Sequence, residues 1–195
     1  ISPRSGITVA DGLDMKVYAG VNPNITTNAA AGTAAISLKI NNTAAPMTVT
    51  VADGLAATDL SISGVVVGTQ SFTKAGAGLL GLTATNTFTG GTVVNAGILS
   101  LNGGGGSPGT IRGTVTVNSG ATLQLNNGDV TGYSVGTDSL KTINLVGGTL
   151  HVNVTNNQTL GNAAINLTGA SITGVTNSNI DFFQGSSSLN SLASA

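Results

Sequence analysis

The side chains able to do acid–base, nucleophilic or metal chemistry are few and widely spaced. The 195 residues hold one histidine, His151, seven acidic residues that are all Asp, and no cysteine. His151 falls at a polar slot of the alternating segment Thr149–Val152, so it is read as a solvent-facing side chain. A metal site wants several convergent ligands. One His among dispersed Asp does not supply them, so neither metal nor cofactor is expected. Asp11 and Asp14 are near enough in sequence for a weak Ca²⁺ contact, but no acidic, glycine-patterned loop accompanies them. Glycoside hydrolysis needs two carboxylates held across a cleft. Asp53 and Asp59 are the nearest other pair, and Asp53 sits in a VADG corner. The triplet Asp138-Ser139-Leu140 could present a serine nucleophile. Thr137 displaces the glycine that should precede it, and only His151 follows. The segment is assigned to a loop. No catalytic residue, and no enzyme activity, is expected of this chain.

Other signals are compositional. Asn24, Asn41, Asn153, Asn157 and Asn166 each open an Asn-x-Thr sequon, which a chain rich in both residues produces freely. Gly103–Gly106 reads as a flexible loop, since neither a helix nor a Lys follows to make a phosphate cradle. The formal net charge is −1 with charges scattered singly, so no basic stripe exists to neutralise nucleic acid. No long apolar run suggests membrane insertion by this segment. The chain starts at Ile1 with no initiator Met or signal-like stretch, and reads as a processed protein or a fragment.

The elements that would position any site are strands. Charged residues make up 7% of the chain, against roughly 25% in an average soluble domain. Glu is absent and Gly, Thr, Asn and Ser are abundant, which removes good helix formers and leaves strands joined by tight turns. Alternation marks Ile36–Ile40, Thr48–Val51, Leu60–Ser63, Thr114–Val117, Thr122–Leu125, Ile143–Val146, Thr149–Val152 and Ile165–Thr168. Between them lie corners such as Asn95-Ala96-Gly97, Asn118-Ser119-Gly120 and Gly147-Gly148. A unit of strand, Asn/Gly corner and second strand recurs, with Val93, Val115, Ile143 and Ile165 as equivalent positions. Their period in the twenties is that of a solenoid, whose turns bury their apolar faces only by stacking. The rival is a β-sandwich, but its core normally carries large aromatics and this chain has no Trp. The expected organisation is irregular or first turns over 1–47, a solenoid body over 48–183 and a flexible tail over 184–195. Ile180, Phe182 and Phe183 place apolar bulk near the end of the stack, where a partner or cap is expected. A last core strand is the alternative for them.

The most specific segment is KAGAGLLGLTATNTFTGGTVVNAGIL, residues 74–99. It resembles the autotransporter passenger-associated repeat of bacterial surface and secreted proteins. Lys74, Gly76, Gly78, Leu80, Leu82, Asn86, Gly90, Gly91, Thr92, Val94, Gly97 and Leu99 all fall in that pattern's register. Phe88 stands where the family usually has Tyr, and Ala84 where Gly is common. The resemblance implies a right-handed parallel β-helix exported to the cell surface or beyond. From the residues themselves, Asn86 suits a corner whose backbone it can satisfy, and Thr87, Thr89 and Thr92 are expected on outer faces.

The functional expectation is an extracellular structural segment acting as stalk, adhesin scaffold or fibre. A self-assembling filament subunit joined end to end, a glycan- or host-surface-binding module, and a fragment of an enzyme whose catalytic part lies elsewhere are the other readings.

Overall fold

The computed structural model describes residues 14–16, 24–104, 109–133, 139–155, 157–161, 163–183 and 188–192. Every strand pairing between named strands is parallel, and the strands stack into a β-solenoid of about 6 turns. No described residue is helical.

Each full coil contributes to three faces. Face one holds β2 (Ile25–Thr26), β5 (Met47–Thr50), β8 (Phe72–Ala75), β10 (Thr92–Val94), β12 (Gly113–Asn118), β14 (Leu140–Val146), β17 (Ala164–Thr168) and β20 (Ser188–Leu192). Face two holds β3 (Ala34–Ile36), β6 (Leu60–Ile62), β9 (Leu79–Leu82), β11 (Gly97–Leu101), β13 (Ala121–Leu125), β15 (Thr149–Val152) and β18 (Ser171–Gly174). Face three has β1 (Asp14–Lys16), β4 (Lys39–Asn42) and β7 (Val66–Gly68) at one end, and β16 (Asn157–Gly161) and β19 (Asn179–Phe183) at the other. Between them the rungs persist as single hydrogen bonds, including Thr87 N to Val66 O, Asn86 N to Thr110 O and Thr110 N to Val130 O.

Register turns alternation into rows. Met47, Phe72, Thr92, Val115, Ile143 and Ile165 stack inward along face one. Leu60, Leu80, Leu99, Leu123 and Leu150 do the same along face two. All eleven are buried. Ile40, Val66 and Phe88, then Ile111, Val130 and Leu160, close the core from the third side. Each row places like on like at the strand spacing of about 4.8 Å, so one coil's apolar face becomes dry only beneath the next.

Several expectations change here. Val93 is not the equivalent of Val115: Thr92 is, and Val93 pairs with Thr116 on the outer side. The Gly90-Gly91 corner shifts the phase by one residue, which in a strand exchanges the two faces. Thr92 is therefore buried rather than outward, while Thr87 is partly buried and Thr89 exposed. Ile36–Ile40 is not one strand but two, split at a corner between faces two and three. Residues 24–47 stack as coils, in keeping with the first-turns alternative for that region, whereas residues 188–192, read as tail, form β20 and pair with β17.

Candidate functional site

Of the residues that carry the sequence pattern, Lys74, Gly76, Gly78 and Gly97 lie where faces one and two meet, in the coils that start at Phe72 and Thr92. Lys74 occupies an inward row between Val49 and Val94, a place where every other described coil up to β14 puts an aliphatic side chain. It is fully buried. A cation there needs compensation, and the corner supplies it. Nζ donates to Ala75 O at 3.0 Å and Gly76 O at 2.8 Å in its own coil, and to Ala96 O at 3.0 Å in the next. Burial pushes the amine down from 10.5 to about 8, opposed by the negative charge of Asp59. Asp59 is itself pinned, its Oδ1 accepting from Gly54 N and its Oδ2 from Leu79 N, both at 2.8 Å. Lys74 thus ties the corner carbonyls of two coils and faces the acid of a third.

Asn86 performs the corresponding task on face three. It is buried, and its Oδ1 accepts from Val66 N at 2.8 Å in the coil below. Its Nδ2 donates to Ala84 O at 3.0 Å and to Thr110 O at 2.9 Å in the coil above. The side chain replaces ladder bonds exactly where face three has no regular strand. Phe88 packs on Phe72 with ring centroids 5.5 Å apart and planes 24° from parallel, in the stacked range.

The glycines of the pattern mark where one coil's backbone rides on another's. A Cβ on Gly78 would lie 2.5 Å from Ala52 O, and one on Gly90 2.2 Å from the Gln70 carbonyl carbon. At Gly97 both constraints meet: φ is +65°, and a Cβ would approach the carbonyl oxygens of Gly76, Ala77 and Gly78 to 2.6 Å each. Gly76 and Gly91 share the positive φ. Lys, Asn, aromatic and glycine positions together hold one coil on its neighbours.

Residues 72–101 match the family model of the passenger-associated-transport-repeat. The match covers β8 through β11, one coil and two faces of the next. Lys74, Asn86 and the glycines of this repeat are the inter-coil fasteners just described. No curated protein and no solved structure matches the chain.

The other sequence candidates are dispersed by the fold. His151 is partly exposed in an outer row, its Nδ1 2.8 Å from Thr173 Oγ1. Asp53 is exposed beside a shallow, open concavity of about 420 Å³ lined with Ala29–Ala31, Gly54 and Leu55, whereas Asp59 is buried and occupied by backbone amides. Asp14 pairs in register with Lys39, and Asp11 lies outside the described residues. Ser139 is buried, with Lys141 Nζ donating to its Oγ at 2.8 Å, and Gly136, Thr137 and Asp138 lie outside the described residues. Gly105 and Gly106 also lie outside them. Among the described residues no three His, Cys, Asp or Glu converge as a metal site. Ile180 is partly buried against the core in β19, while the side chains of Phe182 and Phe183 lie outside the description.

Composition alone did not show the asparagine ladders. Asn153 Nδ2 donates to Asn126 Oδ1 at 2.6 Å, and Asn126 Nδ2 to Asn102 Oδ1 at 2.7 Å. Asn118 to Asn95, Asn166 to Asn144 and Asn179 to Asn157 form further steps at 2.7, 2.8 and 3.2 Å. Asn residues spaced by one coil length are the signal that could have found them.

Proposed function

We propose that the chain is a structural β-solenoid segment of an exported bacterial surface protein, serving as stalk, adhesin scaffold or fibre and carrying out no catalysis. The observation that carries this reading is the repeat match, whose polar motif residues are spent on fastening coil to coil. Stiffness follows from continuous parallel ladders on faces one and two, the rungs of face three and a shared apolar interior. The asparagine ladders and outward Thr side chains keep the outer faces hydrated, and a glycan or host surface is the ligand class those faces would meet. Immunogold labelling of intact producing cells tests the placement. Label at the cell surface is expected; label confined to the cell interior would overturn it.

A second reading, end-to-end self-association or stacking against a continuation of the coil, is favoured by one observation. At the C-terminal end of the stack the core rows run into solvent. Ile172, which continues the Leu150 row, is 38% exposed, and Leu189, which continues the Ile165 row, is 54% exposed. Concentration-dependent sedimentation that Ile172→Asp abolishes would support association of copies; a concentration-independent monomer would exclude it.

A further inference from the structure

The chain contains two Asn-Gly dipeptides, Asn102-Gly103 and Asn127-Gly128. The fold treats them differently. Asn102 is locked: its Oδ1 accepts from Ser100 Oγ at 3.0 Å and from Asn126 Nδ2 at 2.7 Å. The amide of Gly103 is also engaged, donating to Leu82 O at 3.2 Å in the coil below. Asn127 is exposed, and its side chain folds back on its own neighbour, with Gly128 N donating to Asn127 Oδ1 at 2.9 Å. That contact brings the Gly128 nitrogen next to the Asn127 side-chain carbonyl, and glycine offers no Cβ to obstruct ring closure.

We propose that Asn127 is a site of spontaneous deamidation and isoaspartate formation, and that the asparagine ladder protects Asn102 from the same reaction. The Gly128 nitrogen gives up its proton and forms a bond to Asn127 Cγ. The Cγ–Nδ2 bond breaks and ammonia leaves with that proton, closing a five-membered succinimide. Water then opens the ring. Cleavage at Cγ yields Asp; cleavage at the backbone carbonyl yields isoaspartate, whose main chain runs through Cβ and Cγ. Nothing is oxidised or reduced, and water is the sole co-reactant.

The location gives the reaction a structural consequence. The backbone carbonyl of Asn127 accepts from the buried Gln158 Nε2 at 2.6 Å, one of the bonds joining this coil to β16. Nearby, Asp129 Oδ1 accepts from Thr159 N at 2.8 Å. Isoaspartate lengthens the main chain at 127 and moves that carbonyl off Gln158. It also adds a carboxylate two residues from Asp129. Face three loosens at this junction while the fasteners around Lys74 are untouched.

The test ages the folded protein at 37 °C and mildly alkaline pH, with a parallel sample held unfolded in urea. Tryptic cleavage after Lys74, Arg112 and Lys141 places Asn102 in peptide 75–112 and Asn127 in peptide 113–141. Electron-transfer fragmentation then distinguishes Asp from isoaspartate at each residue. In the folded chain Asn127 is expected to react at least about tenfold faster than Asn102, because the latter must first break its ladder bonds. In urea the two rates converge, and Asn127→Gln removes the product from peptide 113–141. Equal rates in the folded chain, or a silent Asn127 where the unfolded chain reacts, would overturn the proposal.

Discussion

Truncating Asn86 to Ala isolates the contribution of a single inter-coil fastener. The substitution removes three side-chain hydrogen bonds, one to the amide of Val66 below, one to Ala84 O, and one to Thr110 O above. At roughly 1 kcal/mol net each, the loss is about 3 kcal/mol. Leaving the Val66 N–H buried without its acceptor pushes the cost toward about 5 kcal/mol. Thr110 O keeps the Asn86 backbone amide as a donor, so it is not orphaned. Asn86→Asp should be at least as damaging, since it retains the acceptor for Val66 but points an oxygen at two carbonyls. The reference is Asn118→Ala, which loses an exposed ladder bond and should change stability by no more than about 0.5 kcal/mol. Urea unfolding followed by far-UV circular dichroism measures both, and hydrogen exchange reads out the Val66 amide. Because coils touch only their neighbours, protection should fall around Val66 and Thr110 and persist near Leu150. An Asn86→Ala cost no larger than that of Asn118→Ala would refute the assignment of Asn86 as a fastener.

The remaining predictions concern the junction of faces one and two. With the Lys74 amine lowered to about 8 by burial, the unfolded chain binds one more proton than the folded chain between about pH 8 and 10.5. Stability should therefore rise through that window, and the rise should be smaller in Lys74→Met; parallel pH curves of urea midpoints for the two proteins would refute it. Gly97→Ala sets a methyl 2.6 Å from three carbonyl oxygens and should cost well over 2 kcal/mol. Gly120→Ala, at φ +76° in open space, should cost only the roughly 1–2 kcal/mol of a left-handed alanine. Thermal unfolding of the two variants orders them.

Much of the fold was legible in the chain. Two-residue alternation and Asn/Gly corners repeated every twenty-odd residues already specify stacked strands, because such segments bury their apolar faces only on one another. The register of residues 74–99 identified the repeat. Face three was not legible: strands such as Val66–Gly68 are too short to alternate visibly, and in the matched repeat Asn86 takes over part of their bonding. The phase error at Val93 had a similar origin, since a Gly-Gly corner conceals which residue turns inward. Lys74 is the sharpest case. Its sequence marks it only as a motif cation, and composition assigns a lysine to the surface. Only the tertiary structure places it in a valine row, because the compensating groups are backbone carbonyls of two coils and the carboxylate of Asp59, brought together by stacking. Residue types and period determined that this chain coils. Which polar side chains lie inside the coil was decided by the contacts between turns, which no single turn encodes.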